Sequence, residues 1–397
     1  MLITSEYVPK GDLYLMEITT ITLTISSVVL LLAAVSPMVS PLFRLPKRDE
    51  KDADGIGESK DKPISVVIIS HDNALELEKH LPSFLSQKYD ADYQVIVVAD
   101  KSDSETDDVI KRFSNDPHLY ATFMPLSSRY ISRKKLAITL GIKAAKYPWA
   151  IVTDAWCIPE SDEWLRSFAS HISDDKDIVL GYSHYDDDAP SNYHYENIIT
   201  ASQNLFYAQH NHAYASASRV VAIKKDNFLA EDGFLGNLKY MRGEYDFLVN
   251  KFGRNENTAT AFSPTAFLAE DTPFKKRWSE NHLFSINTGR HLKGHWLVTL
   301  IRQIELGLMN ITNIAIIAAI IYGAIKEDWI TLGAGILALI IEYLVISFVA
   351  KRAFNRFQCP VNPFLAPFMA FALPFRNIGW RLRYYLANKN DFITHKI

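Results

Sequence analysis

A carboxylate that follows a short apolar run is the first feature of this chain that could do chemistry. Residues 149–152 are apolar and lead, through Thr153, to Asp154, and Trp156 follows two positions later. Carboxylate oxygens at a strand end can hold hydroxyl groups or a hard cation such as Mg²⁺. An indole offers an N–H donor but no lone pair for a metal. The segment therefore supplies one oxygen ligand, where a second carboxylate would complete a stronger cation site.

Polar side chains follow two further apolar runs. Asp72 comes shortly after the run 64–69, and Asp100 comes shortly after the run 94–98. Either residue alone would more often form a turn or cap a helix than bind a ligand. Because ligands of open parallel sheets bind beyond the carboxyl ends of the strands, Asp72, Asp100 and Asp154 together favour a nucleotide site.

Alternating strands and helices position these residues. The strands are short, nearly continuous apolar runs, and the helices between them have amphipathic spacing. The predicted order is strand 64–69, helix 74–87, strand 94–98, helix 104–113, strand 121–123, helix 132–145 and strand 149–153. This order predicts an α/β fold with a Rossmann-like, mainly parallel sheet covered on both faces.

Three apolar segments are long enough to cross a membrane as helices. Residues 18–39 and 306–325 carry no charged residue, and residues 329–350 carry only Glu342. A helix of about 20 apolar residues spans a hydrocarbon core of about 30 Å. Lys10 is the only basic residue before the first segment, which favours a membrane anchor over a cleavable signal peptide.

The distribution of basic residues predicts the orientation in the membrane. Six Lys and Arg residues follow the first apolar segment and eight follow the third, whereas Lys326 alone lies between the second and third. Positive charge favours the cytoplasmic side. The N-terminus is thus expected outside the inner or plasma membrane, with the soluble domain and the tail in the cytoplasm. The net charge of -3 gives no indication of a nucleic-acid partner.

The sequence divides into five predicted parts. Few apolar residues and many alternating charges indicate a flexible cytoplasmic linker before the soluble domain. Four prolines interrupt the uncharged stretch 357–375, which is expected to be interfacial or re-entrant and to contact membrane lipids. The parts are an anchor at 1–43, the linker at 44–62, the soluble domain at 63–295, two transmembrane helices within 296–350, and the interfacial segment with a basic tail at 351–397.

The order of these segments resembles the family 2 glycosyltransferases, which are inverting enzymes with the nucleotide-sugar-binding fold called GT-A. The matching text lies at 65–73, 97–100, 134–142 and 154–159, and the resemblance covers about residues 63–290. The flanking membrane segments also suit membrane-associated members of that family. The resemblance implies a GT-A domain that uses a nucleotide sugar, in the first place a UDP-sugar.

The resemblance also implies roles for individual residues. Asp72 would contribute to nucleotide binding, Asp100 would accept a hydrogen bond from uracil, and Lys134 or Lys135 would face the nucleotide or its diphosphate. Asp154 would hold the ribose or a divalent metal, Mg²⁺ or Mn²⁺, that neutralises the leaving diphosphate. The family usually has a second carboxylate at the position of Trp156.

Two later segments depart from the family pattern. The family's catalytic aspartate corresponds to Tyr245, a poor base because the reference pKa of tyrosine is near 10. Its neighbours Glu244 and Asp246 are the predicted catalytic bases. The segment that is rich in arginine in the family corresponds to 279–283 and contains none, although residues 275–278 read Lys-Lys-Arg-Trp.

Two functional hypotheses follow from this comparison. In the first, the chain transfers a sugar to a lipid-linked or glycan acceptor in cell-envelope glycan synthesis. In the second, it is an inactive relative that acts as a scaffold or regulatory partner of an active membrane transferase. The substitutions at Trp156 and Tyr245 and the missing arginine favour the second hypothesis, whereas Asp154, Glu244 and Asp246 keep the first one open.

Overall fold

The computed structural model describes residues 20–48, 62–126, 131–216, 218–253 and 255–393. The first two residues of the predicted anchor helix and most of the predicted linker lie outside these ranges. The helices are α1 Thr20–Val35, α2 Ala74–Leu85, α3 Ser104–Arg112, α4 Arg133–Ala144, α5 Trp164–Ala169, α6 Ser191–Gln209, α7 Lys225–Ala230, α8 Glu244–Phe252, α9 Lys275–Gly289, α10 His295–Lys326, α11 Trp329–Arg356 and α12 Ala366–Leu386. The strands are β1 Ile64–Ile69, β2 Tyr93–Asp100, β3 Leu119–Met124, β4 Trp149–Asp154, β5 Cys157–Pro159, β6 Ile178–Leu180, β7 Ser183–Tyr185, β8 Val221–Lys224, β9 Thr258–Thr260 and β10 Leu268–Glu270.

The main sheet has seven strands in the order β3-β2-β1-β4-β8-β6-β9. The first four strands of this order pair in parallel, whereas β8 is antiparallel to both β4 and β6. Every residue of β1 and β4 is buried, as expected for strands covered on both faces. The predicted α/β fold with a mainly parallel sheet is confirmed.

Side chains of β1 alternate between two helical layers. Val66 and Ile68 belong to a core that includes Leu77 and Phe84 of α2. Val67 points to the opposite face, where it lies against Gly141 of α4. Because each large apolar side chain contributes about 1.5–3 kcal/mol when fully buried, both layers stabilise the strand ends that carry the polar residues.

Gly141 sets how closely α4 approaches the sheet, and α4 carries Lys134 and Lys135. A methyl group at Gly141 would overlap Val67 and would lie 3.1 Å from Val98. We expect Gly141→Ala to lower the free energy of unfolding by about 1–3 kcal/mol, the usual cost of overpacking. Thermal unfolding of the full chain in detergent measures the effect.

Gly379 in α12 provides the matched control, because a methyl group there meets nothing within 4 Å. Gly379→Ala should be neutral or stabilise by about 0.5–1 kcal/mol, since alanine loses less backbone entropy in a helix. Equal effects of the two substitutions would contradict the close packing of α4 on β1.

A second, smaller sheet brings distant parts of the domain together beside β4. It has the order β5-β10-β7, with β10 antiparallel to β5 and parallel to β7. In this register Glu270 of β10 lies opposite Cys157 of β5, three residues after Asp154. Strands of three residues leave no periodic signal, and the sequence analysis did not predict this sheet.

The chain divides into two compact units. One contains the described part of 1–39 with 305–346, and the other contains 40–304 with 347–397 and hence both sheets. In the first unit, Thr22 donates a hydrogen bond to Asp328 (2.8 Å), and Val29 and Ala33 pack with Ile316. Among the described residues, three helical segments are long and apolar enough to span a membrane: Thr20–Val39, His295–Lys326 and Trp329–Arg356.

Candidate active site

Asp154 and Lys134 form the centre of the candidate site. Asp154 ends β4, and its side chain is completely buried. The ammonium of Lys134 lies 2.6 and 2.7 Å from the two carboxylate oxygens of Asp154. Ser132 caps α4 by accepting a hydrogen bond from the backbone N–H of Lys135, so Lys134 lies in the first turn of the helix. A strand end and a helix start thus place a cation directly on the predicted metal ligand.

Two aromatic rings enclose the Lys134 ammonium. It lies 5.1 Å from the ring centroid of Trp156 and 4.7 Å from that of Tyr245. Cation–π contacts of this kind contribute about 0.5–2 kcal/mol each. The guanidinium of Arg277 also lies against Trp156, with its central carbon 4.0 Å from the ring centroid. Trp156 is therefore a contact surface for two cations.

A second pair of charges lies beside this centre. Glu270 is buried, accepts a hydrogen bond from the Ser183 hydroxyl, and lies 3.8 Å from the Nε atom of Arg219. Burial raises the pKa of Glu270, and Arg219 opposes this shift. Burial lowers the pKa of Arg219, but the charges of Glu270 and Asp154 outweigh it and raise the net value. These mutual effects place Arg219 within electrostatic reach of both carboxylates.

The other two strand ends differ in how accessible they are. Asp100, at the end of β2, is buried, accepts hydrogen bonds from the backbone N–H and hydroxyl of Ser102, and lies 2.5 Å from Arg133. Burial raises the pKa of Asp100. The hydrogen bonds from Ser102 and the charge of Arg133 lower this pKa by a larger amount, so the net shift is downward. Asp72 has an exposed side chain and a left-handed backbone with φ 53°. Asp100 is thus already paired, whereas Asp72 is open to solvent.

Lys135 points away from the site, in contrast to Lys134. Its ammonium donates hydrogen bonds to the carbonyls of Asn237 (2.8 Å) and Tyr240 (2.6 Å), and it lies 4.7 Å from the ring centroid of Phe247. Burial lowers the pKa of Lys135 to about 8. Of the two lysines predicted to face a nucleotide, the geometry favours Lys134, because successive helix positions are about 100° apart and Lys135 points away from the strand ends.

The first turn of α8 carries the three residues at the predicted base position. Gly243 precedes it with φ 91°, a left-handed conformation that a side chain would strain, and a methyl group there would overlap Thr288. Glu244 is buried and accepts a hydrogen bond from the Ser132 hydroxyl (3.1 Å), which ties α8 to the start of α4. Tyr245 is also buried, and burial raises its pKa well above its usual value.

The raised pKa of Asp246 is compatible with its predicted role as a general base. Its side chain is half-buried, and burial raises the pKa of its carboxyl to about 7, against the lowering effect of Arg219. A base works best when its pKa lies near the operating pH. Of the two predicted bases, Asp246 therefore fits the chemistry better, and Glu244 fits a positioning role at the junction of α4 and α8.

The residues around Asp154 do not fit a divalent metal. Such an ion needs several oxygen ligands, and Lys134 already faces both oxygens of Asp154. Trp156 offers none. Within the described ranges, no three His, Cys, Asp or Glu side chains are grouped so that they could hold a metal ion. The predicted metal role of Asp154 therefore has no partner ligands among the described residues.

The segment 279–283 lies in polar contact with residues from other elements. Asn281 accepts a hydrogen bond from Arg242 (3.0 Å), and Glu280 lies 3.4 Å from the same guanidinium. His282 lies 2.7 Å from Glu196 of α6. The segment itself lacks arginine, but Arg277 lies one helical turn earlier and contacts the site through Trp156.

Sequence reasoning missed Arg219 and Glu270. Arg219 precedes the short strand β8, and Glu270 ends the three-residue strand β10, so neither follows a long apolar run. A carboxylate at the end of the apolar stretch Ala266-Phe267-Leu268 was the only signal available for Glu270.

This chain is similar to known proteins in two of three comparisons. The solved structure of the mannosyltransferase PcManGT from Pyrobaculum calidifontis in complex with GDP-Man and Mn²⁺ is 14% identical, and the match covers 81% of this chain and 99% of that chain with a TM-score of 0.48. No curated protein sequence gives a significant match. Residues 65–226 match the family described as Glycosyl transferase family 2. The predicted resemblance to that family is thereby confirmed over these residues.

Proposed function

We propose that this chain transfers a sugar from a nucleotide donor, in the first place a UDP-sugar, to a lipid-linked or glycan acceptor in cell-envelope glycan synthesis. The observation that carries the proposal is the convergence of Asp154, Lys134 and the start of α8 at the carboxyl edge of the parallel strands. In that turn of α8, burial raises the pKa of Asp246 to about 7. Ligands of such sheets bind at this edge.

The contacts suggest how the roles are divided. Lys134 faces the diphosphate, Asp154 orients Lys134 and the ribose, and Asp246 accepts the proton of the acceptor hydroxyl. Asp72 and Asp100 lie next to the nucleobase of the donor. When a uracil N–H donates a hydrogen bond to the Asp100 carboxylate, it replaces the contact of Arg133 with that carboxylate. Attack by the acceptor opposite the leaving diphosphate would invert the sugar's anomeric configuration.

A panel of UDP- and GDP-sugars tests this function with the full chain in detergent and a polar lipid extract as the source of acceptors. We expect one donor to release its nucleotide and to yield a product of inverted configuration by nuclear magnetic resonance. Product with retained configuration would contradict the proposed role of Asp246, because direct displacement cannot retain it.

One observation favours the alternative of an inactive scaffold. Tyr245 stands at the family's base position, and its hydroxyl is buried with no hydrogen-bond partner among the described residues. Its raised pKa keeps it neutral, so it cannot act as the base. A chain that binds nucleotides but turns over none of the donors would support this alternative.

We further propose that the domain lies on the cytoplasmic side of the membrane, with α12 on the membrane surface. The exposed face of α12 is apolar at helical spacing, and Arg376 on the same helix pairs with Glu196 of the domain. This arrangement supports an interfacial segment over a re-entrant one. The exposed apolar side chains are Phe368, Phe371, Phe375, Ile378 and Leu382.

Cysteine labelling tests the orientation. Lys326 is the exposed last residue of α10, next to the turn that leads to α11, and Ser114 is exposed on the soluble domain. In intact cells a membrane-impermeant maleimide should label Lys326→Cys and should label Ser114→Cys only after permeabilisation. The unsubstituted chain is the control, since Cys157 is buried and burial raises the pKa of Cys359 to about 11. The reverse labelling pattern would refute the orientation.

A further inference from the structure

The ammonium of Lys134 has the position and the N–H donors that a diphosphate ligand requires. Asp154 faces it on one side, and the rings of Trp156 and Tyr245 lie against it on others. A fifth of the Lys134 side chain remains exposed to solvent. An ammonium has three donors, and Lys134 uses one of them in its hydrogen bond to Oδ2 of Asp154. A further donor can serve a phosphate oxygen.

Two buried carboxylates at the site, Asp154 and Glu270, each lie beside a cation. Lys134 pairs with Asp154, and Arg219 pairs with Glu270 at 3.8 Å. A divalent ion bound to Asp154 would have to displace the Lys134 ammonium. The displaced ammonium would stay close to the ion, because Lys134 remains in the first turn of α4. Like charges that lie close together in a partly buried site repel strongly.

Arg277 adds a third positive charge. Its guanidinium lies against Trp156, and within the described residues it makes no hydrogen bond or ion pair. A guanidinium stacked on an aromatic ring keeps its edge donors for bidentate contacts with phosphate. Lys134, Arg219 and Arg277 thus place three cations around Asp154 and Trp156.

We propose that this chain binds the diphosphate of its donor without a divalent metal, and that Lys134, with Arg219 and Arg277, supplies the neutralising charge in its place. The inference rests on the proposed function, since it concerns the same nucleotide-sugar site. Trp156 is then a functional part of the site: it holds two cations where a carboxylate would hold a metal. Fixed cations aimed at the departing diphosphate stabilise the charge that develops there.

Calorimetric titration of the full chain in detergent with UDP and with GDP tests the proposal, first in EDTA and then in excess Mn²⁺. We expect one nucleotide to bind in EDTA, and Mn²⁺ to change its Kd by less than about threefold. A larger effect of Mn²⁺ would overturn metal independence and leave the proposed function intact. Failure of both nucleotides to bind in either condition would overturn the proposed function itself.

Substitutions at Lys134 give a second readout that does not depend on turnover. Lys134→Met should weaken nucleotide binding in EDTA by about tenfold or more, and Lys134→Arg should retain most of it. Lys143→Met, on the exposed face of the same helix, is the matched control. If Lys134→Met binds as tightly as the control, Lys134 does not contact the diphosphate. If Lys134→Met fails to fold, the titration of the unsubstituted chain in EDTA and in Mn²⁺ decides whether nucleotide binding is independent of the metal.

The combined variant Lys134→Met with Trp156→Asp tests whether Lys134 stands where a metal would. It removes the cation and restores a pair of carboxylates with Asp154. Mn²⁺ should then strengthen nucleotide binding by about tenfold or more, an effect that the unsubstituted chain lacks. A combined variant that binds nucleotide weakly with and without Mn²⁺ would contradict the proposal that the Lys134 ammonium takes the place of a divalent metal.

Discussion

Asp246→Asn is expected to lower turnover by about 10²–10⁴-fold, the usual contribution of a general base, while nucleotide binding stays unchanged. The amide keeps the size of the side chain and removes its ability to accept the acceptor's proton. Turnover is measured as nucleotide release, and binding is measured by calorimetry. Asp226→Asn, at an exposed position in the first turn of α7, is the control and should leave turnover unchanged.

The pH dependence of the unsubstituted chain provides an independent check on Asp246. Because burial raises the pKa of this carboxyl to about 7 and a base must be deprotonated to work, kcat should rise as the pH passes through about 7 and level off above it. An aspartate with its ordinary pKa near 3.9 would give a flat profile from about pH 5 to pH 8. A flat profile, or a larger loss of turnover in Glu244→Gln than in Asp246→Asn, would show that Asp246 is not the general base.

Lys134→Met is expected to lower the free energy of unfolding by about 3 kcal/mol, because it leaves the fully buried carboxylate of Asp154 without its cation. The value lies at the low end for buried pairs, since the Lys134 side chain is partly exposed. The double variant Lys134→Met with Asp154→Asn should recover most of the loss, because the amide carries no charge. Thermal unfolding of the full chain in detergent measures both.

Lys143→Met separates this effect from a general effect of losing a lysine from α4. Lys143 is exposed in the last turn of the helix, so its substitution should change the free energy of unfolding by no more than about 0.5 kcal/mol. If Lys134→Met and Lys143→Met have equal effects, the pair of Lys134 and Asp154 does not stabilise the fold.

The elements that could be predicted from the sequence are those with long hydrophobic patterns. Strands β1 and β4 are continuous apolar runs, and the amphipathic helices between them fix a parallel order. Their observed bounds, Ile64–Ile69 and Trp149–Asp154, agree with the prediction to within one residue. The placement of Asp100 and Asp154 at the carboxyl edge followed from the same patterns.

The remaining parts of the site depend on contacts between residues that are distant in sequence. The pairing of β10 with β5 brings Glu270 within electrostatic range of Asp154, and three-residue strands show no alternation that a pattern could detect. Lys134 and Lys135 are neighbours in sequence, and only the docking of α4 on the sheet decides which of them faces Asp154. Trp156 could be identified from the sequence as a missing ligand, but not as a surface that contacts two cations.

Nucleotide release from the panel of UDP- and GDP-sugars, compared between the unsubstituted chain and Asp246→Asn, tests the proposed transferase most directly. The account predicts release from one donor by the unsubstituted chain and a loss of about 10²–10⁴-fold in the variant. Equal rates in both proteins, or no release from any donor, would contradict it.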